Sequence, residues 1–266
     1  MTKTIKLYTV IIAKEVQRFF TYRVNIIAGI MTALLILAAR YALWVALFAT
    51  GNATQSSLIE TMTYFVLCDI IRLWLASSYG NNIGDDIRTG DIAQRLVKPC
   101  SYHLLLVASF HASSITLTIT RALPMLFVAL VFIGLLAPVS VFAFVFFILS
   151  VMLGAVIYSL IDLIISYTAF WLTDYWYLSW FKRSLFTLFG GLALPIWFYP
   201  DWLANICNYL PFQYTMFQPL AIYLGRVHPD QIIYTFIIQL FWIGILLLAE
   251  RTVWRFATKK LTVQGG

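Results

Sequence analysis

Charge is scarce in this sequence. Only 11% of its 266 residues are Asp, Glu, Lys or Arg, while 62% are hydrophobic and the mean hydropathy is +0.87. That is more apolar surface than one soluble core can hide, which excludes a soluble enzyme or binding module. Cysteine is scarcer still, with three residues. Cys68, Cys100 and Cys207 fall in separate segments with no CxxC spacing, so neither a disulfide framework nor a cysteine zinc site follows. His103 and His111 stand eight residues apart, which on a helix is about 12 Å and too far to share a metal. No HExxH or carboxylate triad accompanies them, so metal chemistry is not expected. Nucleotide motifs are missing too: there is no GxxxxGK[ST], no GxGxxG opening a helix and no nucleophile elbow. If ATP drives this protein, another chain must bind it. The basic residues are scattered between apolar runs and form no stripe, which argues against nucleic acid as a partner.

What is present is a series of long apolar runs, and about 20 such residues cross a bilayer. The expected fold is an all-α polytopic membrane protein, one transmembrane domain with six spans. Residues 1–23 read as a helix lying in the membrane interface, with Ile5, Tyr8, Ile12, Val16, Phe19 and Phe20 on one side and Lys3, Lys6, Lys14 and Arg18 on the other. The spans are expected at 24–50, 59–79, within 104–136, 139–167, 184–197 and 232–250, with a tight turn at Ala137-Pro138. Basic residues spread through the first 23 positions argue against a cleavable signal peptide.

Orientation follows from Lys and Arg. With the N-terminus cytoplasmic, the inner segments hold Lys3, Lys6, Lys14, Arg18, Arg23, Arg88, Arg95, Lys98, Lys182, Arg183, Arg251, Arg255, Lys259 and Lys260, and the outer ones hold Arg226 alone. Fourteen against one puts both termini, including the tail 251–266, in the cytoplasm.

Five charges interrupt the spans: Arg40, Asp69, Arg72, Arg121 and Asp162. Each is costly in hydrocarbon unless paired or facing water. If the first two spans form a hairpin about residues 54 and 55, Arg40 and Asp69 lie about 14 to 15 residues from the turn, at one depth. An intramembrane ion pair between them is expected, and a local Asp69–Arg72 contact at i, i+3 is the alternative. Arg121 and Asp162 form a weaker candidate for a second pair.

Two polar or broken stretches stand out. Between Gly80 and Tyr102, Asp85, Asp86, Arg88, Asp91, Arg95 and Lys98 crowd into fourteen residues, a cytoplasmic surface flanked by spans. The segment 198–228 is external yet rich in aromatics, so it is expected to lie on the outer leaflet or re-enter it. Pro200, Pro211 and Pro219 cut it into two short helices, about Asp201 to Leu210 and Phe212 to Leu224.

This order of elements resembles the permease subunits of bacterial ABC-2 type exporters. Two motifs carry the resemblance: Ile83-Gly84-Asp85-Asp86-Ile87-Arg88-Thr89-Gly90-Asp91-Ile92 running on to Lys98-Pro99, and Pro195, Phe198 to Leu203, Leu210-Pro211-Phe212, Pro219 and Gly225. The resemblance implies that residues 80–102 carry a cytoplasmic coupling helix, about Gly90 to Val97, seated in a groove of an ABC ATP-binding subunit. Its expected contacts are Arg88, Gly90, Asp91, Gln94 and Arg95. It further implies a path formed with a second permease subunit, identical or related, in a prokaryotic plasma or inner membrane among lipid. ATP and Mg would be bound by the partner ATPase, with no cofactor on this chain. The resemblance is silent on substrate; the 17% aromatic content suits stacking and cation–π contact, so an amphipathic or cationic toxic compound is expected, with lipid or glycan as alternatives. An integral membrane enzyme acting on lipid and a non-transporting assembly partner of a second permease are the alternatives.

Overall fold

The computed structural model describes residues 17, 23–51, 55–75, 83, 86, 114–171 and 176–259. The expected interfacial helix lies outside these residues except for Gln17, as does most of the stretch 80–102. All regular structure among the described residues is helical. Helix α1 is Arg23–Ala49 and α2 is Leu58–Trp74, opened by Ser57, whose hydroxyl accepts the Glu60 N–H at 3.1 Å. Glu60 in that first turn also complements the helix dipole.

Helix α3 is Ser114–Phe132. Pro124 has no N–H to offer the preceding turn, and the sequence suggests a kink there. Instead the helix widens into a π-helical turn, Thr118–Ala122, with the Leu123 N–H reaching back to the Thr118 carbonyl. The helix then stops at Phe132, short of the expected 136. Gly134, at φ 74°, turns the chain, and the amides of Ile133 and Gly134 both bond to the Ala129 carbonyl. Residues 133–140 are therefore an extended connection instead of a tight turn at Ala137-Pro138. Ser140 caps α4, Val141–Ser166, by accepting the Ala143 N–H at 3.0 Å, and a 3₁₀ turn, Tyr167–Phe170, extends it.

The expected fifth span needs correction. Helix α5 is Trp176–Phe189, so Lys182 and Arg183 lie inside a helix and not in a polar break before one. It ends at Gly190-Gly191 because Gly191 takes φ 80°, where a Cβ would sit 2.6 Å from the Tyr64 hydroxyl. The chain is irregular or 3₁₀ from there to Pro200. The external segment then forms α6, Asp201–Asn208, a 3₁₀ turn, Phe212–Thr215, and α7, Phe217–Tyr223. Helix α8 is Pro229–Lys259, longer than the expected 232–250 because nothing between Glu250 and Lys259 breaks it. Much of the expected cytoplasmic tail is thus the end of this helix.

Among the described residues, four helices are long and apolar enough to cross a membrane: Ile26–Ala49, Ser114–Phe132, Val141–Phe170 and Pro229–Ala257. Of the six expected spans, α2 has 17 residues and α5 has 14, both shorter than those four. Burial separates the helices further. Met62, Tyr64, Phe65, Val66 and Cys68 of α2 form one buried cluster with Met125, Phe147, Met216 and Leu220, so α2 is enclosed by its neighbours. Helices α1 and α8 are mostly exposed and apolar, as helices facing lipid are.

Candidate functional site

The α1–α2 hairpin brings its charges to one carboxylate. Arg40 Nη1 lies 2.5 Å from Asp69 Oδ2, and Arg72 Nε lies 3.0 Å from Asp69 Oδ1. The long-range pair and the local one, alternatives in the sequence, therefore coexist. Asp69 is buried, and Arg40 also covers the Phe65 ring with its guanidinium carbon 4.7 Å from the centroid. One carboxylate holding two guanidiniums is a clamp between α1 and α2.

The weaker second pairing does not form as the sequence suggests. Asp162 of α4 bonds to Lys182 of α5, both buried, and the Lys182 ammonium also stands 5.7 Å from the Tyr158 ring centroid. Lys182 read as a cytoplasmic loop charge because a basic residue in a short polar break usually is one. Removing it from the count leaves the inside bias intact. Arg121 instead packs on α1, where Gly29 makes room: a Cβ there would fall 2.3 Å from Arg121 Nε, an atom buried without a hydrogen-bond partner.

At the end of the bundle where α4 finishes, two described residues of the charged stretch are anchored. Ile83, fully buried, belongs to a cluster with Leu163, Tyr167, Ala169 and Ala257, and Asp86 is buried nearby in sequence. Tyr167 donates to Glu250 Oε1 at 2.8 Å and stacks near Trp254 at 5.0 Å, which ties α4 to α8 beside that anchor. Arg88, Gly90, Asp91, Gln94 and Arg95, the expected coupling contacts, lie outside the described residues.

The opposite end is closed by Arg226. Its Nε and Nη2 bind the two carboxylate oxygens of Glu60 at 2.5 and 3.1 Å, Nη2 also donates to the Gln55 carbonyl at 2.7 Å, and its guanidinium carbon sits 4.2 Å over Trp197. The α3–α4 connection joins the same end: Thr63 accepts the Leu136 N–H, and Tyr223 donates to the Leu136 carbonyl, each at 3.0 Å. Tyr199 donates to the Leu188 carbonyl at 2.6 Å, and burial pushes its phenol up to about 12, so it remains a donor at any physiological pH.

Between this end segment and α8 lies a cavity of about 710 Å³. Gln231, Tyr234, Thr235, Ile238, Phe241 and Trp242 of α8 form one wall, spaced as one face of a helix. Behind that wall is a clasp the sequence reading missed. Gln239 Nε2 donates to the Tyr214 carbonyl at 2.9 Å and to the Ser150 carbonyl at 3.0 Å, while the Ser150 hydroxyl bonds to Gln239 Oε1 at 3.2 Å. Gly154 lets that contact form, since a Cβ there would sit 2.8 Å from the Tyr214 carbonyl. The signal available was a lone amide in an apolar run, which in a membrane asks for a polar partner on another helix.

Among the described residues no group of His, Cys, Asp and Glu could hold a metal. The polar side chains link helices at discrete points, and an aromatic cavity lies at one end. No curated protein matches the chain. The family model described as ABC-2 family transporter protein matches residues 34–265. The chain therefore belongs to that family, as a multi-pass membrane permease subunit of an ABC transporter that works with ATP-binding subunits.

Proposed function

We propose that this permease is an exporter, that two such subunits, identical or related, form its path, and that residues 80–102 receive the motion of the ATPase through Arg88, Gly90, Asp91, Gln94 and Arg95. The observation that carries the coupling role is Ile83. It is buried in one cluster with α4 and α8 residues, so a push on the charged stretch has a rigid route into two membrane helices. ATP then acts by favouring one arrangement of those helices over another. The largely exposed apolar faces of α1 and α8 supply surface for a second permease as well as for lipid. Of the substrate classes considered, an amphipathic compound fits the aromatic cavity, and a cationic one fits it less well because Arg226 lines it and no carboxylate does.

The test is the Arg88→Glu/Arg95→Glu variant in the complex with its ATPase. The expected outcome is that ATPase co-purification and ATP-driven transport fall about tenfold or more, on the scale of lost charge pairs at an interface, while insertion and yield persist. Failed insertion would make the stretch structural and overturn the coupling role. Export itself is checked in inverted vesicles, where ATP added outside should drive substrate into the lumen.

A further inference from the structure

We infer that the cavity between α8 and the segment 197–227 binds an uncharged amphiphile, seated with its hydrogen-bonding headgroup toward Gln231 and its apolar part toward Trp242. The α8 wall changes character along its length. Gln231 leads, Tyr234 and Thr235 follow, and Ile238, Phe241 and Trp242 complete it, a fall from amide to hydrocarbon over eleven residues, or about 16 Å of helix. The facing wall mixes polar residues, Asn208, Gln218 and Arg226, with aromatic ones, Trp197, Tyr214 and Phe217, and Arg226 lies directly over the Trp197 ring. A ligand matching the α8 wall is polar at one end and apolar at the other.

Charge narrows the headgroup. Among the described residues the cavity lining includes no carboxylate, so a cation finds no counter-ion on these walls. The Trp197 ring that would attract a cation already carries the Arg226 guanidinium, whose like charge would repel a second one. An anion fares no better, because Glu60 holds that guanidinium through both carboxylate oxygens. Neutral donors and acceptors remain open: the side chains of Tyr209, Gln231 and Tyr234 make no hydrogen bond among the described residues. Tyr234 and Phe241 are also well exposed on α8, so the cavity has lateral access from the apolar surroundings of that helix. The volume falls within the range of small-molecule sites, with a few polar groups fixing orientation in an apolar lining. A role as the point of release into the outer leaflet rests on the export reading, whereas the binding does not.

The test uses the purified permease–ATPase complex in phosphatidylcholine nanodiscs and three probes sharing one brominated dodecyl chain, with maltoside, trimethylammonium or sulfate headgroups. The readout is quenching of Trp197 and Trp242, isolated by difference from the Trp197→Phe/Trp242→Phe variant. The maltoside should quench saturably and bind about tenfold or more tighter than the charged probes, and Gln218→Leu/Gln231→Leu should abolish that preference. Ile238→Trp, whose larger ring narrows the apolar part of the cavity, should weaken saturable quenching. Equal or tighter binding of either charged probe to the wild type overturns the proposal, as does quenching indifferent to Ile238→Trp, which would be bulk partitioning. The wild-type ranking decides the matter even where a variant fails to fold. Saturable maltoside binding in a complex that moves substrate only inward would keep the site and sink the export reading.

Discussion

Among the described residues Asp69 serves two arginines while each arginine meets one carboxylate, and that asymmetry sets what each substitution should cost. Arg40→Gln leaves the Asp69–Arg72 contact in place, whereas Asp69→Asn leaves two partly buried guanidiniums facing a neutral amide. Breaking a buried charge pair typically costs about 3 to 5 kcal/mol, so Asp69→Asn should lower the thermal unfolding midpoint in detergent well below that of Arg40→Gln. A full exchange, Arg40→Asp/Asp69→Arg, is expected to fail, since it places a new guanidinium three residues from Arg72. The Asp162–Lys182 pair obeys the complementary rule. Lys182→Met alone takes the cation from a buried carboxylate, while Lys182→Met/Asp162→Leu removes both charges and should recover most of the lost midpoint in the same assay.

Helices α4 and α8 meet along their length, and Gln239 is where a third element joins them. Gln239→Leu takes the partner from the Tyr214 carbonyl and from the Ser150 hydroxyl, an expected loss of about 1 to 3 kcal/mol read from unfolding. Gly154→Ala should cost more than an ordinary helical Gly→Ala change gains, because the new methyl meets backbone and not a movable side chain. These elements also show what the sequence could and could not disclose. Equal distance from a short turn suffices to bring Arg40 and Asp69 together, because a helical hairpin has only one register. The short helices at Asp201–Asn208 and Phe217–Tyr223 follow from prolines that cannot continue a helix. Lys182 misleads because hydropathy sees a basic residue between apolar runs and cannot see the Asp162 that neutralises it. Gln239 and Ser150 lie 89 residues apart with no shared pattern, so their bond belongs to tertiary packing alone.

At the scale of the whole molecule, the two ends of the bundle have different tasks. One end ties residues 166 apart in sequence through Arg226 and Glu60, and the other receives the charged stretch at Ile83. Ile83→Asp should therefore insert normally and still bind the ATPase, yet lose ATP-driven transport. Coupled ATPase and transport assays on one preparation would separate that outcome from simple misfolding. Helix α5 carries a last consequence. At about 1.5 Å per residue its 14 residues rise about 21 Å, against about 30 Å of hydrocarbon in a typical bilayer. If α5 crosses the bilayer as the sequence suggests, it creates a hydrophobic mismatch beside the 31-residue α8. Lipid there would then thin, or headgroups and water would reach down to the Gly190-Gly191 break. Chain length should then tune this permease directly, with a higher unfolding midpoint in dimyristoyl than in dierucoyl phosphatidylcholine.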